Sequence, residues 1–193
     1  MGKVVMNSTV SLDGFVADED DRPGALFEWL TNGDVPLDGS GALKVSRTSY
    51  DHTRPYWDRI GVTIVGRRVF DLTDGWGGQP PGGIPHMVVV THRPAPEGWD
   101  PGAPFHFVEG VEAAVAKAQE LAGGRVVEVA AGDVGGQVFA AGLVDEVRMD
   151  VAPVVLGSGR RYFGSVRAQH LLEDPDVVIQ GDRVLHLLYR VRR

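Results

Sequence analysis

Four short segments follow runs of valine and isoleucine and combine glycine with charged or hydroxyl side chains. They are Asp13-Gly14, Gly66-Arg67-Arg68, Thr91-His92-Arg93 and Gly132-Asp133-Val134-Gly135-Gly136. Glycine lets a phosphate approach the backbone closely, and a helix that begins there directs free N–H groups and a positive dipole end at an anion. An arginine fork binds phosphate through two hydrogen bonds. The combination favours a phosphorylated dinucleotide as ligand. The alternative is that these are ordinary strand-to-helix turns, in which glycine is common.

Several other chemistries lack their residue patterns. Gly132 to Gly136 does not spell the GxGxxG fingerprint, and neither a Walker A lysine motif nor a GxSxG nucleophile elbow occurs. The six histidines are scattered, so no metal site is predicted, and His106 and His186 are expected to be structural residues within strands. The acidic run Asp18 to Asp21 is expected to form a solvated turn. No catalytic side chain can be named from these patterns.

Short apolar strands alternate with helical segments along the first three quarters of the chain. The near-continuous Val/Ile runs are typical of strands buried on both faces, as in a parallel sheet, whose carboxyl ends meet at one edge where ligands bind. The predicted strands are Val4–Val10, Val62–Val65, Met87–Thr91, Phe105–Val108 and Val126–Ala131. The predicted helices are Arg67–Leu72, Val111–Ala122, Val134–Ala141 and, with unclear limits, Gly24–Thr31.

The last third of the chain has a different pattern. Residues 146–155 alternate, with Val147, Met149 and Val151 on one side and Arg148 and Asp150 on the other. Two further strands, 177–180 and 183–191, flank the turn signal Gly181-Asp182. We therefore expect one α/β domain over residues 1–193, with a mixed, mostly parallel sheet, helices on both faces and a C-terminal antiparallel hairpin. Residues 32–56 show no clear pattern.

Composition narrows the class of protein. The chain has 193 residues, a net charge of −7 and no cysteine. An acidic chain argues against general binding to nucleic acid or anionic membranes, although a local basic pocket remains compatible with it. The absence of cysteine excludes disulfides, iron–sulfur clusters and thiolate nucleophiles. No apolar run is long enough to span a membrane and the N-terminus does not read as a signal peptide, so we expect a cytoplasmic protein.

Six segments, in this order, resemble the dihydrofolate-reductase-like superfamily, most closely the reductase (RibD C-terminal) domain of riboflavin biosynthesis and its stand-alone relatives. They are Ser11–Ala17, Val65–Phe70, Val90–Pro94, Ala131–Gly136, Gly142–Val147 and Pro153–Gly159, the last leading to Phe163-Gly164. The resemblance implies a dihydrofolate-reductase-like fold and an NADPH-dependent oxidoreductase.

The resemblance also implies positions for the cofactor. The nicotinamide would lie against Thr9, Val16 and Ala17. The pyrophosphate would bind Gly66 and the helix start formed by Gly132, Asp133, Val134, Gly135, Gly136 and Gln137. The adenosine 2′-phosphate would be held by Arg67, Arg68, Thr91, His92 and Arg93. Most of these residues are the ones that the anion-binding argument selects independently.

The substrate is less well defined. The resemblance suggests a small heterocycle of the pterin or ribosylaminopyrimidine type, with an activity like that of 5-amino-6-(5-phosphoribosylamino)uracil reductase. Glu28 falls near the place where dihydrofolate reductases carry a carboxylate for the pteridine, and the alternative is a surface glutamate. Asp13 could orient a substrate or stabilise its Asp-Gly turn. Trp29, Tyr50, Tyr56 and Trp57 could line a pocket or belong to the core.

Three functions remain open at this point. The first is the reductase. The second is a nucleotide-binding transferase with a flavodoxin-like sheet, which the motif order disfavours. The third is a dinucleotide-binding protein that retains the fold without turnover. A homodimer is also expected, because relatives of this fold usually pair and residues 154–156 or the last hairpin offer apolar surface near a sheet edge.

Overall fold

The computed structural model describes residues 1–192, and its centre is one eight-stranded sheet. The strands of the chain are β1 (Val4–Ser11), β2 (Phe15–Ala17), β3 (Val35–Pro36), β4 (Lys44–Val45), β5 (Ile60–Gly66), β6 (His86–Val90), β7 (Phe105–Val108), β8 (Val126–Ala130), β9 (Glu146–Ala152), β10 (Arg160–Arg161), β11 (Val177–Gly181) and β12 (Val184–Arg190). The helices are α1 (Arg47–Trp57), α2 (Arg67–Leu72), α3 (Val111–Ala122) and α4 (Asp133–Ala140). Three 3₁₀ segments cover Gly24–Leu30, Asp74–Gly78 and Pro81–Gly83.

The order of strands in the large sheet is β11-β12-β9-β1-β8-β5-β6-β7. The six strands from β9 to β7 are parallel, whereas β12 pairs antiparallel with β9 and with β11. Parallel neighbours need crossover connections, which α2, α3 and α4 provide. The predicted mixed sheet with a C-terminal antiparallel hairpin is confirmed, and the carboxyl ends of six strands lie along one edge.

The two faces of the sheet differ in chemistry. One face packs against α3 and α4 and is apolar, with a core that includes Met6, Val10, Ile64, Val129 and Val147. The other face, covered in its centre by α1, carries buried polar side chains. They are Thr9, Thr63, Arg148, Asp150 and His186. The alternation in 146–155 was therefore correctly identified as a strand, but its polar side is buried beneath a helix.

Three features differ from the sequence-based expectations. Helix α1 lies in the segment without a clear pattern, where Ser46 caps it by accepting the Ser49 N–H. The segment at 24–31 is a 3₁₀ helix that ends at Leu30. The acidic turn is only partly solvated, because the Asp21 side chain packs against Arg68 and Arg160 and keeps 10% of its exposure. The predicted boundaries of the other elements hold to within two residues, except that the strand predicted over 146–155 ends three residues earlier, at Ala152. The loop at 75–85 contains two short 3₁₀ turns.

Candidate functional site

Two glycine-bounded helix starts lie side by side at the carboxyl edge of the sheet. Gly66 ends β5 and precedes α2, while Gly132 follows β8, the neighbouring strand, and precedes α4. A Cβ atom on Gly66 would be 3.0 Å from Cγ2 of Val134, so the two turns are in contact. Neither helix has a side-chain cap at its N-terminus, which leaves the first N–H groups available to an anion.

Glycine is required by the backbone in the second of these turns. Gly132 has φ +107°, and a Cβ atom there would meet no heavy atom within 4 Å. A Cβ on Gly136 would lie 2.2 Å from the Phe163 carbonyl oxygen, because the chain after β10 crosses closely over α4. The start of α4 is therefore open on its outer side, where an anion can approach the backbone N–H groups, and tightly packed against the chain after β10 on its inner side.

Tyr162 connects this turn to the loop after β1, and the sequence analysis did not single it out. Its N–H donates to the Gly14 carbonyl at 2.9 Å, and its carbonyl accepts the Gly132 N–H at 2.7 Å. Its buried hydroxyl lies 3.0 Å from the Met6 carbonyl oxygen and 2.7 Å from the Arg148 carbonyl oxygen, and its single proton is shared between these two acceptors. Burial raises the pKa of Tyr162 well above its usual value, so the hydroxyl stays protonated as the donor. This residue sets the spacing of the two predicted cofactor segments.

The three candidate phosphate-binding arginines are all paired with carboxylates. Asp71 accepts from Arg67 Nε at 2.7 Å and from Arg93 Nη2 at 2.6 Å, so both guanidinium groups converge on one carboxylate. Arg67 also donates to the Pro94 carbonyl at 2.8 Å. A dinucleotide phosphate would have to compete with Asp71 or share its arginines. A cleft of about 390 Å³ opens beside this cluster, bounded by Trp99.

Asp21 holds the third arginine. It accepts from Arg68 Nε at 2.7 Å and from Arg160 Nε at 2.7 Å. The hydrogen bonds from Arg68 and Arg160 lower the pKa of Asp21 to about 2, so it is a carboxylate at neutral pH. Because Asp21 follows β2 and Arg160 opens β10, this contact fastens the loop after β2 to the start of α2 and to β10.

The remaining candidates for the adenosine end lie at the carboxyl end of β6. Thr91 is buried, and its hydroxyl accepts the Arg93 N–H at 2.9 Å, which shapes the turn. His92 is exposed and lies 2.9 Å from Glu109. The edge thus brings together the residues from Gly66 to Arg68, those from Thr91 to Arg93, and the start of α4, where Asp133 and Gln137 are exposed.

The loop after β1 is held by Asp13. Its carboxylate accepts the Ser11 hydroxyl at 2.6 Å and the N–H groups of Leu156 and Gly157 at 3.1 and 2.7 Å. The hydrogen bond from Ser11 is the main cause that lowers the pKa of Asp13. In this arrangement the carboxylate joins two loops of the edge. Val16 and Ala17 follow in β2, half-buried next to the chain at Gly159.

The candidate substrate residues are not brought to one place. Glu28 is exposed and lies 3.2 Å from Arg183 in the last hairpin turn. Trp29 is buried, and its indole N–H donates to Thr9 Oγ1 at 3.1 Å, next to the candidate nicotinamide position. Trp57 and Tyr50 are half-buried against the small apolar cluster around Leu37. Tyr56 belongs to α1 and is buried on the side of the helix that faces the sheet.

A buried hydrogen-bonded chain lies between α1 and the sheet, and sequence reasoning missed it. His186 Nδ1 is 2.7 Å from Asp150 Oδ1, and His186 Nε2 is 2.9 Å from Ser49 Oγ. The residue types match a hydrolytic triad. However, Ser49 is buried, and a Cβ atom on Gly181 would lie 2.3 Å from its Oγ, so no acyl substrate can reach the hydroxyl. The alternating polar positions 148 and 150 of β9 were the available signal.

The same polar layer contains a buried arginine. Arg148 lies over the Tyr56 ring, 4.2 Å from its centroid, and its Nε and Nη2 have no hydrogen-bond partner within residues 1–192. Glu128 accepts from Asn7 at 2.9 Å and from Tyr56 at 3.0 Å, and burial raises the pKa of Glu128. Burial, then the charge of Arg148, lowers the pKa of His52 to about 4. Such a layer stabilises only if its groups find partners.

Metal-binding clusters of three or more side chains and membrane-spanning helices are both absent from the described residues. Residues 1–192 hold no group of three or more His, Asp or Glu side chains arranged to hold a metal ion. Among the helices of the same residues, none has the length and apolar character that a membrane span requires.

Solved structures share this fold. A Shewanella sp. PV-4 protein described as a riboflavin biosynthesis protein is 19% identical, with complete coverage of both chains and a TM-score of 0.70. Dihydrofolate reductase from Enterococcus faecalis, solved with NADP(H), is 16% identical, with 100% of this chain and 98% of that chain covered and a TM-score of 0.59. RibD of Acinetobacter baumannii is 18% identical with a TM-score of 0.59, and the match covers 100% of this chain but 58% of that protein.

Sequence comparison gives the family directly. No curated protein sequence matches the chain. The family profile described as the RibD C-terminal domain matches residues 2–185, nearly the whole chain. The resemblance that the six ordered motifs suggested is therefore confirmed, and the chain belongs to the RibD C-terminal domain family.

Proposed function

We propose that this protein is an NADPH-dependent reductase that transfers a hydride to a small heterocyclic substrate of the pterin or ribosylaminopyrimidine type. The observation that carries the proposal is the contact between two uncapped, glycine-bounded helix starts, at Gly66 and Gly132, on neighbouring parallel strands. Membership of the RibD C-terminal domain family supports it.

The chain has residues suited to each part of the cofactor. The N–H groups from Gly132 to Gln137, with Gly66, would hold the pyrophosphate, because they are uncapped and a Cβ on Gly132 would meet open space. Arg67, Arg68 and Arg93, with Thr91 and His92, would hold the 2′-phosphate. Thr9, Val16 and Ala17 would flank the nicotinamide. When bound, NADPH supplies the hydride, and the protein supplies orientation and electrostatics.

The surrounding structure provides that orientation. Tyr162 and Asp13 fasten the loop after β1 to the chain around β10, and Asp21 fastens the loop after β2 to Arg68. These ties fix the distance between the phosphate cradle and Thr9, which is buried in β1. Buried Thr9 and Trp29 also exclude water from this end of the site.

The test is turnover. The purified protein is mixed with NADPH and, separately, with dihydrofolate, 5-amino-6-(5-phosphoribosylamino)uracil or a simple aldehyde, and the loss of NADPH absorbance is followed. We expect oxidation with one of the heterocycles and none with the aldehyde. NADPH binding without turnover of any compound would instead support the dinucleotide-binding protein that lacks catalysis, and no NADPH binding would refute both.

Light scattering tests the expected homodimer. Val155 and Val178 are exposed apolar residues near the suggested surfaces. A mass near twice 20.8 kDa is expected, and a mass near 20.8 kDa would refute it.

A further inference from the structure

Two histidines that are 20 residues apart in the chain come together on the neighbouring strands β6 and β7. His86 opens β6, and His106 is the second residue of β7, the outermost strand at this end of the sheet. Nε2 of His106 lies 3.5 Å from Nδ1 of His86, and the ring centroids are 5.5 Å apart. The histidines are scattered in the sequence, so no metal site was predicted, but the pairing of β6 with β7 joins two of them.

The distance between the two ring nitrogens fits joint coordination of a metal ion. A separation of 3.5 Å is long for a hydrogen bond, whose usual heavy-atom distance is about 2.7–3.2 Å. Two Zn–N bonds at a tetrahedral angle place their nitrogens about 3.3–3.4 Å apart. The two rings are half-buried and inclined at 55° to each other, so each can turn to aim its lone pair at the same point.

Each ring has a tautomer that supplies the lone pair. The coordinating forms carry their proton on Nε2 of His86 and on Nδ1 of His106, so two neutral rings bind an ion without releasing a proton. Burial, followed by the charge of His86, lowers the pKa of His106, which keeps that ring neutral at neutral pH. The charges of Lys117 and Glu120 on α3 act on His106 with opposite signs, and the two side chains pair with each other at 3.2 Å.

We propose that His86 and His106 together bind a divalent transition-metal ion, namely Zn²⁺, Ni²⁺ or Cu²⁺, with water in its other coordination positions. Imidazole nitrogen suits these three ions, whereas Mg²⁺ prefers oxygen ligands. No third His, Asp or Glu within residues 1–192 completes a cluster with the pair, so the site is open to solvent. The bound ion would fasten the edge strand β7 to β6.

This site is separate from the proposed cofactor edge. His86 lies at the amino end of β6, whereas Thr91 follows its carboxyl end, and about 16 Å of extended chain separates the two residues. The inference therefore goes beyond the proposed reductase and does not depend on it. NADPH and the metal ion would bind at opposite ends of the same strand.

Two other arrangements of histidine compete with this pair. His92 is exposed and lies 2.9 Å from one carboxylate oxygen of Glu109, which is the geometry of a surface ion pair. The rings of His52 and His186 are 4.9 Å apart, but both nitrogens of His186 are already hydrogen-bonded to other side chains. In the pair on β6 and β7, by contrast, two ring nitrogens face each other.

The experiment is a calorimetric titration of the purified protein, without an affinity tag, with ZnCl₂, NiCl₂ and the oxygen-preferring control MgCl₂. The same titrations are made on His86→Gln and His106→Gln, and on His92→Gln, which removes the competing surface site. His170→Gln is the matched control, because His170 is an exposed histidine against Phe139, away from both strands. Thermal unfolding without metal shows that each variant is folded.

We expect one Zn²⁺ or Ni²⁺ ion per chain in the wild type, His92→Gln and His170→Gln, and no binding of Mg²⁺. The affinity should fall by about 10-fold or more in His86→Gln and in His106→Gln, because each loses one of the two protein ligands. Equal affinity in the wild type and His106→Gln, loss of binding in His92→Gln, or no binding by the wild type would overturn the proposal.

A second measurement uses only the wild-type protein. Paramagnetic Cu²⁺, added below one ion per chain, should broaden the ring ¹H resonances of His86 and His106 before those of the other four histidines. An adventitious ion only would broaden the exposed rings of His92 and His170 first, or all six rings together, and either result would overturn the proposal.

Discussion

Replacing Gly66 by alanine separates a requirement of the fold from a requirement of the cofactor. Gly66 has φ −80° and ψ 157°, which is extended backbone that any residue adopts. The new Cβ would lie 3.0 Å from Val134 Cγ2 and 3.9 Å from Val134 Cβ, with no other heavy atom within 4 Å. A shift of that side chain by a few tenths of an ångström relieves the contact.

The expected effect on stability is therefore small. Gly→Ala at a compatible position gains about 0.4–1 kcal/mol through the unfolded state, which offsets the cost of moving Val134. The free energy of unfolding should stay within about 1 kcal/mol of the wild-type value.

The expected effect on cofactor affinity is large. The new methyl group would stand between the two helix starts, in the space proposed for the pyrophosphate. Loss of one hydrogen bond to a charged group costs about 1.5–3 kcal/mol, which raises Kd by about 10- to 150-fold.

The assay is a fluorescence titration with NADPH, accompanied by thermal unfolding. Gly39→Ala is the matched control, because Gly39 is exposed and a Cβ there would meet nothing within 4 Å. A folded Gly66→Ala protein that binds NADPH within about twofold of the control would refute the assignment of the pyrophosphate to this edge.

Three further changes test the edge and the polar layer. Asp71→Asn should release Arg67 and Arg93, and we expect NADPH affinity to rise by about twofold to fivefold while NADH affinity is unchanged; weaker NADPH binding would show that Asp71 positions the arginines instead. The pKa of His52 is lowered from 6.5 to about 4, so between these pH values the unfolded chain binds a proton at this side chain and the folded protein does not. The free energy of unfolding therefore decreases as the pH falls from 6.5 towards 4, and urea unfolding of His52→Gln should depend less on pH in this range. Equal pH dependence in the wild type and the variant would contradict this expectation. Tyr162→Phe should lower the free energy of unfolding by about 1–2 kcal/mol because the hydroxyl contacts with Met6 and Arg148 are lost, and an unchanged value would argue against a stabilising link from this hydroxyl to β1 and β9.

The sheet was predictable because its strands follow simple rules. Runs such as Ile60–Gly66 are buried on both sides and almost entirely apolar, with Thr63 as the one polar residue, and this run ends at a glycine. Helix α3 has an apolar stripe formed by Val111, Ala114, Val115 and Ala118, and its predicted limits match those observed. Local pattern and tertiary structure agree in these elements, so the sequence indicates them clearly.

Helix α1 could not be predicted for a physical reason. Its buried face consists of Ser49, Thr53 and Tyr56, because it covers a polar region of the sheet and needs hydrogen-bonding partners more than apolar contacts. The buried side of α1 carries few apolar residues, so the periodic apolar stripe that identifies helix α3 is missing from it. Arg148 and Asp150 follow the same logic, since their alternation in β9 resembles a solvent-facing side.

The candidate site was predictable only as a set of strand ends. Parallel strands bring Gly66, Thr91 and Gly132 to one edge, and that part needed no coordinates. The pair of Arg67 with Asp71 has the local i,i+4 spacing of a helix, whereas the pairs of Asp21 with Arg68 and of Asp71 with Arg93 join residues far apart in the chain, and no local pattern specifies those two. The role of Tyr162 likewise depends on the path of the chain after β9.

The central claim is that NADPH lies across the carboxyl edge of the sheet, and a crystal structure of the protein with NADPH tests it most directly. The expected result places pyrophosphate oxygens about 2.7–3.2 Å from the N–H groups at the start of α4, beside Gly66, with the nicotinamide next to Thr9. A cofactor bound at another surface, or its absence from crystals grown with NADPH in excess, would contradict the assignment.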